Sequence, residues 1–193
     1  MHTKDLIKMH SVELFAQLGY EGTSISQIVK KVGIKKSSFY SHYENKESLL
    51  NDVLETMTED YIHYIENSLN EREGDNVETT LYRCFLKYIE DNTDENDPSN
   101  KIYNQITQYP PVESKEKIKS MLKYCSEKVD RLFIELIRQG QCNGEISNEL
   151  QAENITSSYF SLIEGLSLSS KLFEEAHLQV KGAWIIFWRG IRS

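Results

Sequence analysis

Lysine and hydroxyl-bearing side chains crowd one short stretch of this 193-residue chain. Residues 30–46 contain five lysines and a single acid, Glu44, whereas the whole chain has a formal net charge of −8. Ammonium and hydroxyl groups can donate hydrogen bonds to phosphates and to base edges. A basic segment on an acidic chain therefore favours a local contact with nucleic acid, although a solvated, lysine-rich helix face would show the same charge pattern.

Apolar residues within this stretch predict two short helices separated by a turn. Thr23 and Ser24 can cap the first helix, Gly33 can end it, and Lys35 opens the second. The side chains predicted to pack these helices on a preceding one are Ile25, Ile28, Val29, Val32, Ile34, Phe39 and Tyr43. The polar side chains predicted to remain outside are Lys36, Ser37, Ser38, Tyr40 and His42. Two short helices with a glycine in the turn are typical of a helix-turn-helix, whose second helix can enter the major groove. A simple corner between two helices with a basic exterior has the same spacing.

The rest of the chain must hold this segment in place, and its apolar periodicity is helical throughout. A first helix ends at Gly19, and long amphipathic stripes follow in residues 46–72, 114–139, 150–173 and 175–191. Only three prolines and nine glycines interrupt the chain, and no run alternates as a strand would. We therefore predict an all-α protein of about nine helices. The boundary between two domains is predicted inside the fourth helix, where the composition turns acidic.

The sequence argues against several classes of protein. No apolar run approaches the roughly 18 residues of a membrane span, and the first residues lack the apolar core of a signal peptide. The three cysteines, Cys84, Cys125 and Cys142, form no CxxC pair, which favours a reducing cytoplasm over a disulfide framework. The five histidines are scattered, so we expect no metal site and no cofactor. No phosphate-binding glycine loop or serine-nucleophile motif is present, and we expect no enzymatic activity.

Fifteen positions between residues 15 and 49 follow the spacing of one known motif. They are Phe15, Gly19, Tyr20, Thr23, Ser24, Ile28, Gly33, Ile34, Phe39, Tyr40, His42, Tyr43, Lys46, Glu47 and Leu49. On these residues the segment resembles the DNA-binding domain of the TetR family of bacterial transcription regulators. Beyond residue 60 the likeness is confined to residues 142–146 and 163–166. Lys35 stands where the family commonly has Ser or Thr, so the second helix loses its side-chain cap unless Lys36 or Ser37 shifts the register.

The resemblance implies a domain organisation and a set of DNA-contacting residues. Residues 1–50 would form the DNA-binding domain, with the helix-turn-helix at about 24–43, and residues 51–193 a helical ligand-binding and dimerisation domain. The residues implied to contact phosphates are Thr23 or Ser24, Tyr40, His42 and Lys46. The residues implied to read bases are Lys36, Ser37 and Ser38, and a lysine is suited to guanine O6 and N7.

In the family, the helical body holds a small-molecule pocket and the dimer interface. The candidates for the pocket are soft or aromatic side chains, namely Phe85, Tyr88, Tyr103, Met121, Tyr124, Cys125 and Tyr159. The candidates for the dimer interface are Ile163, Leu166, Trp184, Phe187 and Trp188. Either set can instead belong to the core of one protomer. Eleven tyrosines favour a largely apolar or aromatic ligand, and oxidation of Cys125 or Cys142 is an alternative switch.

Two hypotheses of function follow. The resemblance implies a cytoplasmic, homodimeric repressor that binds a palindromic operator in double-stranded DNA and is released by a small ligand. The alternative is a helical protein–protein interaction regulator that does not bind DNA sequence-specifically. Loss of binding at raised salt, together with selectivity among DNA sequences, would separate the two.

Overall fold

The structure is a computed structural model that describes residues 2–71, 74–94, 96–173 and 179–193. Within these ranges the chain forms nine α-helices, one short 3-10 helix and no β-strand, which confirms the predicted all-α class. The α-helices are α1 (Thr3–Gly22), α2 (Ile25–Val32), α3 (Lys36–Tyr40), α4 (Lys46–Asn70), α5 (Val77–Thr93), α6 (Pro98–Gln108), α7 (Lys115–Cys142), α8 (Ala152–Leu172) and α9 (Val180–Ile191). The 3-10 helix, Val112–Ser114, precedes α7. The predicted end of the fourth helix at residue 72 and the predicted start of the last helix at residue 175 lie outside the described residues.

Gly19 divides α1 into a long helix and a final turn. Its backbone has φ 73° and ψ 165°, a conformation that interrupts the helix and that glycine adopts without strain. The helical periodicity therefore stops at Gly19, as predicted, and the chain makes one more turn before α2. This kink brings the carbonyl groups of the last turn of α1 close to the start of α2.

Two compact units make up the fold, and α4 and α7 each contribute to both. The first unit comprises Met1–Tyr61 and Glu95–Cys125, and the second comprises Ile62–Asp94 and Ser126–Ser193. The first unit contains all of the helices predicted for residues 1–50, together with α6 and the start of α7. The boundary between the functional domains at residue 50 stays a prediction.

A single apolar core holds the first unit together. Phe15 from α1, Ile28 from α2 and Phe39 from α3 are at most 1% exposed, and all belong to one cluster of buried side chains. Ile102 and Ile106 of α6 belong to the same cluster, and α1 packs closely against α6. The helix-turn-helix therefore rests on a layer built from α1, α4 and α6, and burial of these apolar surfaces fixes its position.

Aromatic side chains form the core of the second unit. Tyr159 of α8 lies against Phe85 of α5 and Phe133 of α7, with ring centroids 6.1 and 5.2 Å apart. Its hydroxyl donates a hydrogen bond to the Leu81 carbonyl oxygen at 2.9 Å. Trp184 of α9 covers Phe85 at 5.4 Å. No helix in the described ranges is long and apolar enough to cross a membrane.

Candidate nucleic-acid interface

The first helix of the motif, α2, begins at a reciprocal cap between two exposed side chains. The Gln27 N–H donates to Ser24 Oγ at 3.3 Å, and the Ser24 N–H donates to Gln27 Oε1 at 2.8 Å. The Ser24 hydroxyl also donates to Gln27 Oε1, at 2.6 Å. Because Oε1 of Gln27 is engaged, its side-chain amide N–H groups are the donors that remain for DNA. Gln27 is not among the residues predicted from the sequence to contact DNA, although the Ser-x-x-Gln spacing is the signature of a capping box.

The turn between α2 and α3 depends on one left-handed residue. Gly33 has φ 79° and ψ 30°, and the N–H groups of Gly33 and Ile34 both donate to the Val29 carbonyl oxygen at 3.0 Å. A residue with a Cβ atom would be strained in this conformation. Lys35 precedes α3 and its side chain makes no capping hydrogen bond, which confirms the predicted loss of the cap.

The second helix of the motif, α3, presents a polar face and buries a single ring. Phe39 is fully buried, whereas Lys36 and Ser37 are exposed and Ser38 is half-buried. Tyr40 is 54% exposed, and its ring is nearly perpendicular to that of Phe39, with the two centroids 5.5 Å apart. The structure therefore brings the predicted base-reading residues together on the leading turn of α3.

Unpaired cations surround this face. Within the described residues, Lys30, Lys35 and Lys36 are exposed and have no ion-pair partner, so their charges are free to meet phosphates. Lys31 differs because its ammonium lies 2.7 Å from a carboxylate oxygen of Glu13. The hydrogen bond from Lys31, helped by His10, holds the pKa of Glu13 below its usual value. His42 is exposed in the turn after α3.

Thr23 must be corrected as a candidate for a phosphate contact. Its side chain is 1% exposed, and its hydroxyl is within hydrogen-bond distance of the carbonyl oxygens of Gly19, at 2.8 Å, and Leu14, at 3.2 Å. Its N–H donates to the Tyr20 carbonyl oxygen at 3.2 Å. Thr23 therefore satisfies the end of α1, and Ser24 alone of this pair reaches the surface.

Lys46 has a structural role that the sequence pattern did not show. Its half-buried ammonium donates to the carbonyl oxygens of Tyr20, at 2.7 Å, and Thr23, at 2.9 Å. It also lies 4.1 Å from the centroid of the Tyr20 ring. A cation near a helix C-terminus stabilises carbonyl groups that lack partners. Lys46 thus fastens the start of α4 to the end of α1, and one N–H of the ammonium is left for any phosphate.

Tyr20 extends this connection to the segment before α7. Its hydroxyl donates to a carboxylate oxygen of Glu113 at 3.4 Å. Burial, together with the charge of Glu113, raises the pKa of Tyr20 above its usual value. The hydroxyl therefore stays protonated at neutral pH and remains a hydrogen-bond donor to Glu113.

The residues predicted to form the ligand pocket are divided between the two units. Phe85, Tyr88 and Tyr159 belong to the second unit, where Phe85 and Tyr159 are at most 1% exposed within packed rings. The remaining candidates belong to the first unit and are Tyr103, Met121, Tyr124 and Cys125. Tyr103 is 50% exposed and Tyr124 is 41% exposed. The structure does not bring these seven residues to one cavity within either unit.

A cavity in the second unit has a different lining. Its volume is about 630 Å³, and it is bounded by the end of α4, the start of α5 and the C-terminal part of α7. Three carboxylates (Glu66, Asp75 and Glu135) and apolar side chains such as Leu69 and Leu132 line it. None of the predicted pocket residues is among the residues that line this cavity.

Most of the residues predicted at the dimer interface are buried within the single chain, so their role in a dimer stays a prediction. Ile163 is fully buried in the single chain, and Leu166, Trp184 and Trp188 are 5–8% exposed. Phe187 is partly buried, with its ring 5.8 Å from that of Tyr159. These helices carry apolar residues on two faces, and helical spacing alone could not show which face packs within the chain.

Two of the three thiols, Cys84 and Cys125, are poor candidates for a redox switch. Burial raises the pKa of Cys84, which is buried, and burial with the charge of Glu59 raises the pKa of Cys125 to about 11. Both thiols are therefore protonated at neutral pH and react slowly, because the thiolate is the nucleophile. Cys142 is exposed.

Comparison with known proteins identifies the family. Residues 10–53 match the model for bacterial regulatory proteins of the TetR family. The negative transcriptional regulator IcaR of the biofilm operon icaADBC in Staphylococcus epidermidis is 33% identical over 137 residues, which cover 70% of this chain and 68% of that protein. IcaR of Staphylococcus aureus strain Newman is 28% identical over 174 residues, which cover 81% of this chain and 92% of that protein.

The fold is shared over a greater length than the sequence. The reduced form of NemR from E. coli superposes with a TM-score of 0.76 at 16% identity, over 99% of this chain and 97% of that one. The matched motif lies in the same helices that present the exposed cationic face. The chain therefore belongs to the TetR family of bacterial regulatory proteins and is a DNA-binding transcription regulator rather than an enzyme.

Proposed function

We propose that the protein is a repressor that binds a palindromic operator as a homodimer and is released from it by a small ligand. The observation that carries the proposal is the exposed cationic and hydroxyl face of α3 and the turn after it. Both IcaR relatives are negative regulators, which supports repression over activation. Binding to chromosomal DNA implies that the protein acts in the cytoplasm.

The contacts with DNA follow from exposure and position. Lys36 and Ser37 stand on the leading turn of α3, which is the part of a recognition helix that meets base edges. Ser38 is half-buried beside them and completes the proposed base-reading set. The phosphate contacts proposed here come from Ser24, Tyr40, His42 and the remaining N–H of Lys46. Phosphate contacts position the protein, whereas base contacts give it sequence preference.

An apolar face on the last two helices supports the homodimer. In the single chain, Leu168 and Leu172 of α8 are 60% and 65% exposed, and Ile186 of α9 is 75% exposed. Gly182 and Gly190 lie four residues either side of Ile186, and a Cβ atom at either glycine would meet no atom within 4 Å. Exposed apolar side chains beside glycines allow two helices to approach closely, so this face is the proposed contact with a second copy.

One pair of variants tests the dimer. Ile186→Asp places a charge at the centre of the proposed contact, and we expect it to produce monomers in sedimentation equilibrium. Val112→Asp is the matched control, because Val112 is 89% exposed and belongs to the first unit, whereas Ile186 belongs to the second. A dimer that survives Ile186→Asp would refute this interface.

The proposed effector is a small, largely apolar or aromatic molecule. The rings around Phe133 and Tyr159 support this class, because a flat apolar ligand can replace the edge-on contacts that Phe160 makes with Phe133 at 4.9 Å and with Tyr159 at 5.4 Å. The test is release of bound DNA by neutral aromatic compounds and by cationic compounds. Release by cationic compounds alone would refute the apolar class and favour the carboxylate-lined cavity.

The DNA-binding proposal is tested by selection. The purified protein is mixed with randomised duplex DNA at about 100 mM salt, where phosphate contacts still contribute strongly to affinity, and the retained pool is sequenced. We expect a palindrome whose half-sites are about 34–36 Å apart, because two recognition helices related by a two-fold axis meet successive turns of the groove. If no sequence is enriched, even after the protein is denatured and refolded to remove a bound ligand, the operator proposal is refuted and the protein-interaction hypothesis is favoured.

A further inference from the structure

One carboxylate on α4 collects three donors from the first unit. The Tyr43 hydroxyl donates to Oδ2 of Asp52 at 2.7 Å, and the Lys4 ammonium lies 2.8 Å from the same oxygen. The Lys8 ammonium lies 3.6 Å from Oδ1 and also donates to the Thr56 hydroxyl at 2.9 Å. Asp52 therefore connects the start of α1, the turn after α3 and the body of α4.

Tyr43 is the link between this carboxylate and the recognition helix. Its ring is 4% exposed and lies 5.7 Å from the ring of Phe39, the one buried side chain of α3. The N–H groups of His42 and Tyr43 both donate to the Phe39 carbonyl oxygen, at 2.9 and 3.0 Å. Contacts that hold Tyr43 in place therefore also hold the last turn of α3 and the neighbouring His42.

The recognition helix needs such support because it is short. It has five residues and no side-chain cap at Lys35, and an isolated helix of this length is unstable in water. Packing of Phe39 fixes how deep α3 lies, but rotation and sliding about that ring are opposed by directional contacts. The hydrogen bond from Tyr43 to Asp52 supplies one at the C-terminal end of α3.

The charge on Asp52 is secure at neutral pH. Burial raises the pKa of this carboxyl, but the hydrogen bonds from Lys4 and Tyr43 and the charge of Lys8 outweigh burial and hold the pKa below its usual value. The carboxylate is therefore ionised wherever DNA binding is measured, and its bond with the Tyr43 hydroxyl is charge-assisted and stronger than a neutral one.

We propose that Asp52 is a positioning residue for DNA recognition, which sets the end of α3 through the Tyr43 hydroxyl and keeps Lys4 and Lys8 on the protein rather than on phosphates. This inference rests on the DNA-binding function stated above. The Asp52 carboxylate is engaged by Tyr43, Lys4 and Lys8, so no contact with a base is assigned to it. It acts by fixing where the exposed side chains of α3 stand.

The two effects of removing the charge have opposite signs on two kinds of DNA. Asp52→Asn releases the end of α3, so affinity for a preferred sequence falls. The same change removes one negative charge and frees two ammonium groups, so affinity for random DNA stays the same or rises. A general loss of folded protein would lower both affinities together, and the ratio of the two separates positioning from stability.

The experiment measures affinity for the duplex that the wild-type protein enriches and for a random-sequence duplex of equal length. We expect Asp52→Asn to lower the ratio of the two affinities about tenfold, the scale of one lost base contact, and to steepen the salt dependence on random DNA by as much as two phosphates. Asp60→Asn is the matched control, because Asp60 is an exposed acid on the same helix, and it should leave the ratio unchanged. Asp52→Glu keeps the charge and should recover part of the ratio.

Tyr43→Phe isolates the hydroxyl, since it keeps the ring in the core and the charge on Asp52. It should lower the ratio of affinities for the enriched and the random duplex without steepening the salt dependence of binding to random DNA. The double variant with Asp52→Asn should have the same ratio of affinities as Asp52→Asn alone. The proposal would be overturned if the two substitutions lowered the ratio of affinities additively, or if Asp52→Asn and Asp60→Asn gave the same ratio of affinities.

Amide hydrogen exchange in the free protein tests the same inference without DNA. We expect Asp52→Asn to speed exchange at His42 and Tyr43 about tenfold, while amides in α8 are unchanged. Unchanged exchange at these two residues would overturn the proposal by itself. If the wild-type protein enriches no sequence while these amides do respond, it is the operator proposal that fails.

Discussion

Substitution of Lys46 tests whether a lysine of the DNA-binding motif stabilises the folded domain or contacts a DNA phosphate. The resemblance implies a phosphate contact, and the structure shows two carbonyl acceptors and an aromatic ring around the same ammonium. Lys46→Met keeps most of the side-chain volume and removes the donors. Two carbonyl oxygens at the end of α1 then lose their cation.

The size of the effect follows from these contacts. Because the ammonium is half-buried, each charge-assisted bond is taken at about 1.5 kcal/mol, the low end of its range, and the cation–ring contact at about 0.5 kcal/mol. The freed side chain regains about 1 kcal/mol of conformational entropy. The expected loss of unfolding free energy is therefore about 2.5 kcal/mol, which for a chain of this length lowers Tm by roughly 5–10 °C.

Thermal unfolding followed by circular dichroism measures the loss, with Lys119→Met as the matched control. Lys119 is exposed on α7 in the first unit and has no ion pair among the described residues, so we expect a change within about 0.5 kcal/mol. The salt dependence of DNA binding is measured on the same proteins. The reasoning from the carbonyl contacts is refuted if Lys46→Met has the same Tm as the control and if the slope of log affinity against log salt concentration becomes shallower by about one. In that case the ammonium contacts a phosphate.

Three further predictions concern recognition, thiol chemistry and acid. Lys36→Ala should relax preference at one base pair at a cost of about 1–3 kcal/mol, and an equal loss on selected and random duplexes would contradict base readout. In native protein at pH 8, iodoacetamide should modify Cys142 far faster than Cys125, whose pKa of about 11 leaves about one thiol in a thousand ionised; peptide mapping that finds equal rates would contradict this. Because the folded-state pKa of Asp52 is lowered from 3.8, its stabilisation is present above about pH 4 and is lost as the pH falls through the folded value. Acid unfolding of Asp52→Asn should therefore be less steep below pH 4 than that of the wild-type protein, and equal steepness would argue against this linkage.

The sequence could predict the helix-turn-helix because its signals are local. Gly33, the buried Phe39 and the exposed Lys36 lie within seven residues of one another, and each has the environment that its spacing indicates. The uncapped start of α3 was also readable, since Lys35 has no oxygen to offer the backbone.

Contacts over longer separations could not be read in the same way. The Thr23 hydroxyl donates to the Leu14 carbonyl oxygen, nine positions away. The Lys46 ammonium donates to the Tyr20 carbonyl oxygen, 26 positions away. Both depend on the backbone geometry at Gly19. The glycine indicated that the helix would be interrupted there, but not the φ and ψ values that place these carbonyl groups. Trp184 and Ile186 show a second limit: α9 is apolar on two faces, and only packing decides that the tryptophan faces inward and the isoleucine outward.

The five residues of α3 separate two tasks, with consequences for how such a regulator acquires a new target. Phe39 is the one buried side chain of the helix, while Lys36 and Ser37 are exposed. Substitutions at these two positions therefore cost little folding free energy, and a lineage can try many of them while the regulator stays folded. Gene duplication followed by changes at residues 36 and 37 would be enough to begin the divergence of one operator preference into two.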